Sequence, residues 1–391
     1  RDLAGTWTLL MDGKEVAQGK LPALRAAPQQ FHDVQIKYPQ LVLSQGSEVH
    51  VSFRFFSREQ TTWGDAGHEV AWQQFNIPTK VFLRHRAIRK PVTKLSPTNI
   101  AETTNGWQVT KGELHFSINK TTGMMENLKL ASRLLVLRGP QLNVWRAATD
   151  NDGLKLFPVV NWGSERILDR WRKAGYDRLE LVETKADMQE VEDRSVFKIN
   201  QQWRCPGMDR IIVHEHRYTL SANGEIKVKN HFIVDPDLPE LPRIGVALVL
   251  PTEYENLEWF GRGPWENYSD RNRSALLARY RSTVADQYVP YILPQEHGNK
   301  TDVRWLELQN GVGQGVRITA ASQMEASASH FTAGDLFKAK HTTDLKPRPE
   351  IHVYLDHAQR GLGTGSCGPD TLPQYRIPPG AYDLNFKIYG F

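Results

Sequence analysis

Cysteine is scarce: the 391 residues hold two, Cys205 and Cys367, too few for a disulfide framework and in keeping with a reducing, cytoplasmic setting. One bridge between them stays open as an alternative. No apolar run approaches the roughly 18 residues that a membrane-spanning helix needs, so no membrane partner is expected. Neither sign of charge dominates. The net charge of +5 comes from 49 Lys and Arg interleaved with 44 Asp and Glu, without the basic stripe that nucleic-acid binding requires. Fixed-period repeats and low-complexity tracts are absent, which excludes solenoids and propellers. Helical periodicity is rare as well: only Trp162 to Ala174 has the pattern of a short helix. The chain opens Arg1-Asp2-Leu3-Ala4 with no Met, basic n-region or apolar h-region, so it carries no visible secretory signal and reads as a piece of a longer polypeptide.

What is present is a globular composition, 40% hydrophobic and 24% charged, in a chain long enough for two domains. Eleven Trp, 12 Tyr and 15 Phe serve sandwich cores and also offer flat faces on which sugar rings stack. Short strands separated by turns fill residues 1–84: Gly5 to Leu10, an Asp12-Gly13 hairpin signal, and Val49 to Phe55 in clean alternation. That is a β-sandwich of immunoglobulin-like size. Residues 85–104 read as a basic, proline-bearing linker. From 105 to 391 alternation returns in Glu113–Ile118, Ile211–Tyr218 and Glu225–Phe232, and strands without crossover helices imply one large antiparallel sandwich.

Four loops rich in charge, Gly and Pro look least like scaffolding: Trp145–Gly153, Trp259–Arg271, Pro294–Asn299 and Asp356–Gly368. A self-sufficient glycosidase needs two carboxylates flanking the scissile bond, and Glu266 and Glu296 are the internal candidates. The competing reading, which is favoured, has Glu266 and Asp270 pairing with Arg262 or Arg271 to brace a turn. Asp150-Asn151-Asp152-Gly153 starts like a calcium loop but lacks the later ligands, so an Asx-rich turn is expected. His214 and His216 share one strand face, yet no third ligand accompanies them; they read as strand-surface histidines, and no metal site is assigned. Cys367 lies in a glycine-dense loop, as a small loop residue rather than a nucleophile. Trp63, Trp72, Trp145, Trp259 and Trp265 each read first as core and only second as sugar platforms.

In this order, these segments resemble the C-terminal third of the large bacterial β-galactosidases of glycoside hydrolase family 2. The likeness runs from Asp12-Gly13-Lys14 and Trp63-Gly64-Asp65 to Gln74, through Arg146–Gly153, to Phe260-Gly261-Arg262-Gly263-Pro264 with Glu266-Asn267-Tyr268 and Asp270-Arg271, and on to Pro294-Gln295-Glu296. The resemblance implies an all-β fold: a small immunoglobulin-like sandwich followed by a large antiparallel, galactose-mutarotase-like supersandwich. It places the catalytic (β/α)₈ barrel, with its glutamates, magnesium and sodium, upstream of this chain, so no cofactor is expected within it. The chain would then be an inactive part of an enzyme that hydrolyses terminal β-D-galactosides with retention, packed on that barrel and the N-terminal domains of a homo-oligomeric parent. Asp150, Asn151, Asp152, Gly153 and Cys367 would line the substrate cleft, and Gly153 to about Asn161 would be a mobile loop. Trp265, Asn267, Tyr268, Arg271 and His297 are possible sugar contacts. Where the best-known relatives carry a stacking Trp, this sequence has Cys367. Two other readings are a free carbohydrate-binding or mutarotase-like module, for which Glu296 and His297 are the pair to consider, and a separate small subunit of a heteromeric β-galactosidase.

Overall fold

The computed structural model describes residues 2–391 apart from 24, 25, 28, 45, 79–96, 157–164, 193 and 222. Most of the expected linker and the second half of the expected mobile loop therefore lie outside the described residues.

The chain is all-β and forms two compact units. In the first, β1 (Leu3–Met11), β2 (Lys14–Lys20), β3 (Val49–Ser57) and β4 (Glu69–Ile77) form one antiparallel sheet in the order β2-β1-β3-β4. The turn between β1 and β2 is the Asp12-Gly13 pair, both at positive φ (50° and 75°), the backbone that matches strand twist in a two-residue hairpin. Trp7, Leu9, Val49 and Val51 bury one face, with Leu41 and Leu43 packed against them.

The second unit begins with β5 (Thr98–Thr103), β6 (Gly106–Lys111), β7 (Leu114–Asn119), β8 (Met125–Leu130) and β9 (Arg133–Asn143). Helix α1 (Ile167–Ala174) follows, then β10 (Glu180–Val191), β11 (Arg194–Cys205), β12 (Arg210–Leu220), β13 (Ile226–Val234), β14 (Arg243–Leu250), β15 (Asn256–Gly263), β16 (Leu276–Thr283, of which Leu276–Arg279 count with the first unit), β17 (Lys300–Gln309) and β18 (Gly315–Ser329). The short helix α2 (Ala333–Lys338), β19 (Ile351–Gln359) and β20 (Ala381–Gly390) complete it. Thr98–Thr103, read from sequence as the end of a linker, is thus a strand. It is antiparallel to β6, and Ile100 packs on the core.

The main path of the sheet runs β10-β11-β12-β13-β20-β18-β19-β14-β9-β8-β7-β6-β5. A path this long does not stay flat. Its two ends face each other: Trp107 on β6 and Phe116 on β7 meet Phe197 on β11, with ring centroids 5.5 and 6.5 Å apart. One hydrophobic cluster runs continuously between the two layers, which makes the unit a supersandwich with a single core.

Strand β14 decides where the loops go. It pairs antiparallel with β9 on one side and β19 on the other, so β9 and β19 run the same way and both end beside its start: Asn143 lies opposite Gly245, and Gln359 opposite Arg243. The segments that follow β9 and β19 leave the sheet at one place. Asp356 to Gln359, grouped from sequence with a loop, in fact close β19, and Asp356 is fully buried.

Candidate functional site

Arg146, buried within the segment that follows β9, organises the site. It donates to both oxygens of Asp152 (3.1 and 2.6 Å) and to the main-chain oxygens of Arg360 (2.5 Å) and Gly361 (3.4 Å). Asp152 also accepts from Thr149 N and Oγ1, at 2.9 and 3.0 Å. Asp152 N in turn donates to Thr149 O at 3.0 Å, so the segment is a main-chain β-turn whose last side chain reaches back to its first residue and is closed by an arginine, rather than an Asx turn. Next to it, Asn151 is a bridge: its Nδ2 donates to Gly363 O (2.8 Å), and its Oδ1 accepts from Ser366 N (3.2 Å) and Oγ (2.7 Å).

The two remaining loops join the same assembly. Asp270 accepts from Leu362 N (3.0 Å), Gly363 N (2.8 Å) and Thr371 Oγ1 (3.0 Å). A Cβ on Gly361 would come within 2.7 Å of the Asp270 carboxylate, so this approach requires glycine. Gln295 Oε1 accepts from Asp150 N at 3.0 Å. Glu296 Oε2 accepts from Ala147 N (3.1 Å), and its own N donates to Ala147 O (2.9 Å). All four loops singled out in the sequence are thus bonded to one another.

Between the Asp150–Leu154 turn, the start of α1 and the Gly365–Gly368 loop lies a cleft of about 870 Å³, lined among others by Asp150, Asn151, Gly153, Arg166, Arg170 and Cys367. Arg166 and Arg170 were not singled out from sequence, where α1 reads only as a short amphipathic helix. Arg166 is held by Asp169 (2.6 and 2.7 Å) and by Leu154 O (3.1 Å). Arg170 Nε is shielded from solvent and has no hydrogen-bond partner among the described residues.

The two candidate carboxylates are both engaged in main-chain and ion-pair contacts. Glu266 accepts from Arg271 Nη2 (2.8 Å), Gly298 N (2.9 Å) and the Tyr291 hydroxyl. Glu296 receives Arg243 Nη1 at 2.8 Å in addition to Ala147 N. Arg262 pairs with Asp302 (2.5 Å) rather than with Glu266, and Asp270 holds amides rather than an arginine. Arg243, fully buried, also binds Asp356, whose carboxyl burial pushes up to about 6 against the pull of that guanidinium. Deeper in, Glu325 accepts from Asn299 Nδ2 (2.7 Å), and burial raises its carboxyl to about 8. Among the possible sugar contacts, Asn267, Tyr268 and His297 are buried, whereas Trp265 (76% exposed) and Arg271 face solvent.

Other sequence readings change. His214 and His216 are not surface histidines: at 0% and 3% exposure they stack on each other (centroids 4.4 Å apart), and His214 also stacks on Phe232 (4.8 Å). Strand β12 carries apolar residues on both faces near its start, so alternation alone did not tell which face turns inward. Trp145 and Trp259 are core residues as read, and Trp72 is half-buried. Trp63, at 63% exposure, and Trp265 are not core. Cys205 is buried, Cys367 is exposed, and both are free thiols. Among the described residues, no group of three or more His, Cys, Asp or Glu is placed to hold a metal ion. Nor, among the described residues, is any helix long and apolar enough to cross a membrane.

An antiparallel supersandwich with a loop-built cleft beyond the ends of its central strands is the class that fold and site define. The chain belongs to the beta galactosidase small chain family, which it matches over residues 110–388, preceded by a match to beta-galactosidase domain 4 over residues 1–78. The beta-galactosidase of Priestia megaterium is 29% identical over 95% of this chain and 34% of its own length. That of Arthrobacter sp. is 29% identical over 99% of this chain and 38% of its own. The chain thus spans a little over a third of the length of these relatives. A galactose 1-epimerase from Lactobacillus acidophilus aligns with 76% of this chain and 99% of its own, at 10% identity and a TM-score of 0.37.

Proposed function

We propose that this chain is the non-catalytic C-terminal part of a family 2 β-galactosidase that cleaves terminal β-D-galactosides with retention, and that it forms one wall of the substrate cleft. The observation that carries this reading is a cleft between the Asp150–Leu154 turn, the start of α1 and the Gly365–Gly368 loop, braced from behind by the other two loops, in a chain whose Glu266 and Glu296 are occupied as structural acceptors. A retaining glycosidase needs one carboxylate free to attack and another free to give up a proton, about 5–5.5 Å apart. A carboxylate holding two or more donors in fixed geometry is poorly suited to either task. The acid–base pair, with its magnesium and sodium, is accordingly assigned to a barrel elsewhere in the parent. Asp150, Asn151 and Cys367 are assigned to the part of the cleft that meets the leaving group, and Trp265 and Arg271 to solvent-facing sugar contacts.

The test is hydrolysis of a chromogenic β-galactoside by this chain alone and by the full-length polypeptide that carries it. Activity is expected only in the second. Turnover by the chain alone, abolished by Glu266→Gln or Glu296→Gln, would defeat the proposal. The description of the matched family as a small chain favours a second arrangement, in which this chain is a separate subunit. Mixing it with a separately expressed large subunit would then restore hydrolysis.

A further inference from the structure

We propose that Lys155 is the positioning residue of the cleft wall: its ammonium clamps the Asp150–Leu154 turn to two other segments of the supersandwich. An ammonium has three protons to donate. Lys155 Nζ places all three on main-chain oxygens, those of Pro294, Leu336 and Ala339, each at 2.7 Å. Leu336 and Ala339 lie in and just after α2, where the last carbonyls of a helix have no partner along the chain and favour a cation. Pro294 opens the segment that carries Gln295 and Glu296, so the same lysine fixes the main chain next to the two side chains that accept from Asp150 N and Ala147 N.

The surroundings are equally ordered. Nζ lies 5.8 Å from the centre of the Phe337 ring, which meets Trp145 edge-on at 5.4 Å. Trp145 in turn meets Trp171 of α1 at 6.3 Å. Burial lowers the pKa of Lys155 to about 8, so at pH 7 it is still predominantly the ammonium that the three acceptors require.

The clamp has a direct consequence for the cleft. Asn151 and Gly153 line it four and two positions before Lys155, and Asn151 is the bridge to the Gly363–Ser366 loop on the opposite side. Without the lysine, three carbonyls lose their shared donor. Arg146 and Asp152 would still close the turn, and Gln295 and Ser366 would still hold Asp150 N and Asn151, but the end of the turn would lose its ties to α2 and to the Pro294 main chain. The inference rests on the proposed function for its catalytic consequence, not for the clamp itself.

Two readouts test it. In this chain, Lys155→Met keeps most of the stem and removes every donor. Amide exchange at Asp152 and Gly153 should then rise about tenfold or more, the loss of hydrogen bonds to a charged group being large, while amides of β11 and β12 stay unchanged. In the full-length enzyme, the same variant should raise KM for a galactoside with a sugar leaving group several-fold and leave kcat nearly unaltered, with Lys155→Arg recovering part of the loss. Unchanged exchange at Asp152 and Gly153, a uniform rise across the core, or an unmoved KM would each overturn the proposal. Absence of β-galactoside hydrolysis by the wild-type full-length enzyme would instead refute the proposed function, and the exchange experiment alone would then decide the clamp.

Discussion

At the scale of single residues, the supersandwich is unusual in how much charge it buries. Arg146, Arg243 and Arg360 are fully enclosed, and each is met by a carboxylate: Asp152, Asp356 with Glu296, and Asp370. Glu325 differs because, among the described residues, no cation pairs with it directly, and burial holds its carboxyl protonated to about 8 instead of the ordinary 4.5. An acid whose folded pKa is raised destabilises the fold as pH rises: the penalty is absent below 4.5, grows through neutrality and is complete above 8. Its full size is roughly 5 kcal/mol by linkage. Glu325→Gln imitates the protonated form and keeps an oxygen for Asn299. The variant should match wild type in urea unfolding near pH 4, exceed it increasingly up to about pH 8 and gain little beyond that. Equal stability across that range would show that Glu325 ionises normally.

At the scale of elements, β12 shows what sequence periodicity conveys and what it leaves out. Alternation identified the strand and placed His214 and His216 on one face, and the Asp12-Gly13 turn and the helix near Trp171 were equally legible because local chemistry dictates them. Which face turns inward was not legible, because Ile211 and Val213 compete with Ile212 and Tyr218 for the core. The four loops were recognisable one by one, but their meeting depends on β9 and β19 flanking β14, two pairings between residues about 100 positions apart that no local pattern encodes. Buried arginines were equally hidden, since nothing in the sequence marks Arg146 or Arg243 as enclosed until their acids are placed beside them.

Burial gives β12 a testable acid sensitivity. It holds the His216 imidazole down at about 4 and His214 well below 6.5. For a base with a depressed folded pKa, stability is intact above 6.5 and is lost as pH falls from there toward 4, because the unfolded chain takes up the proton first. The loss for His216 is about 3 kcal/mol. In His216→Phe the Gly123 carbonyl still receives the Tyr218 hydroxyl at 3.0 Å, so no acceptor is orphaned. Chemical unfolding between pH 4 and 6.5 should show a slope reduced by about one proton relative to wild type. An unchanged slope would place the acid sensitivity elsewhere.

At the scale of the whole molecule, the two thiols report separately on core and cleft. Cys205 is enclosed in the core of the supersandwich, where burial pushes its thiol up to about 12, so neither access nor thiolate is available. Cys367 is exposed on the loop that Asn151 ties to the opposite wall, and it lines the cleft. A thiol reagent should therefore titrate one group in the folded chain and two after unfolding. That asymmetry makes a selective probe of the cleft in the full-length enzyme. A bulky maleimide on Cys367 occupies space that the proposed function gives to the leaving group, while Glu266, Glu296 and the buried arginines are untouched. Labelling should raise KM for galactosides with large leaving groups more than for those with small ones, and Cys367→Ala should be insensitive to the reagent. Full labelling with no change for either substrate would mean that the Gly365–Gly368 loop does not face the leaving group, and the cleft would have to be reassigned to another surface of the supersandwich.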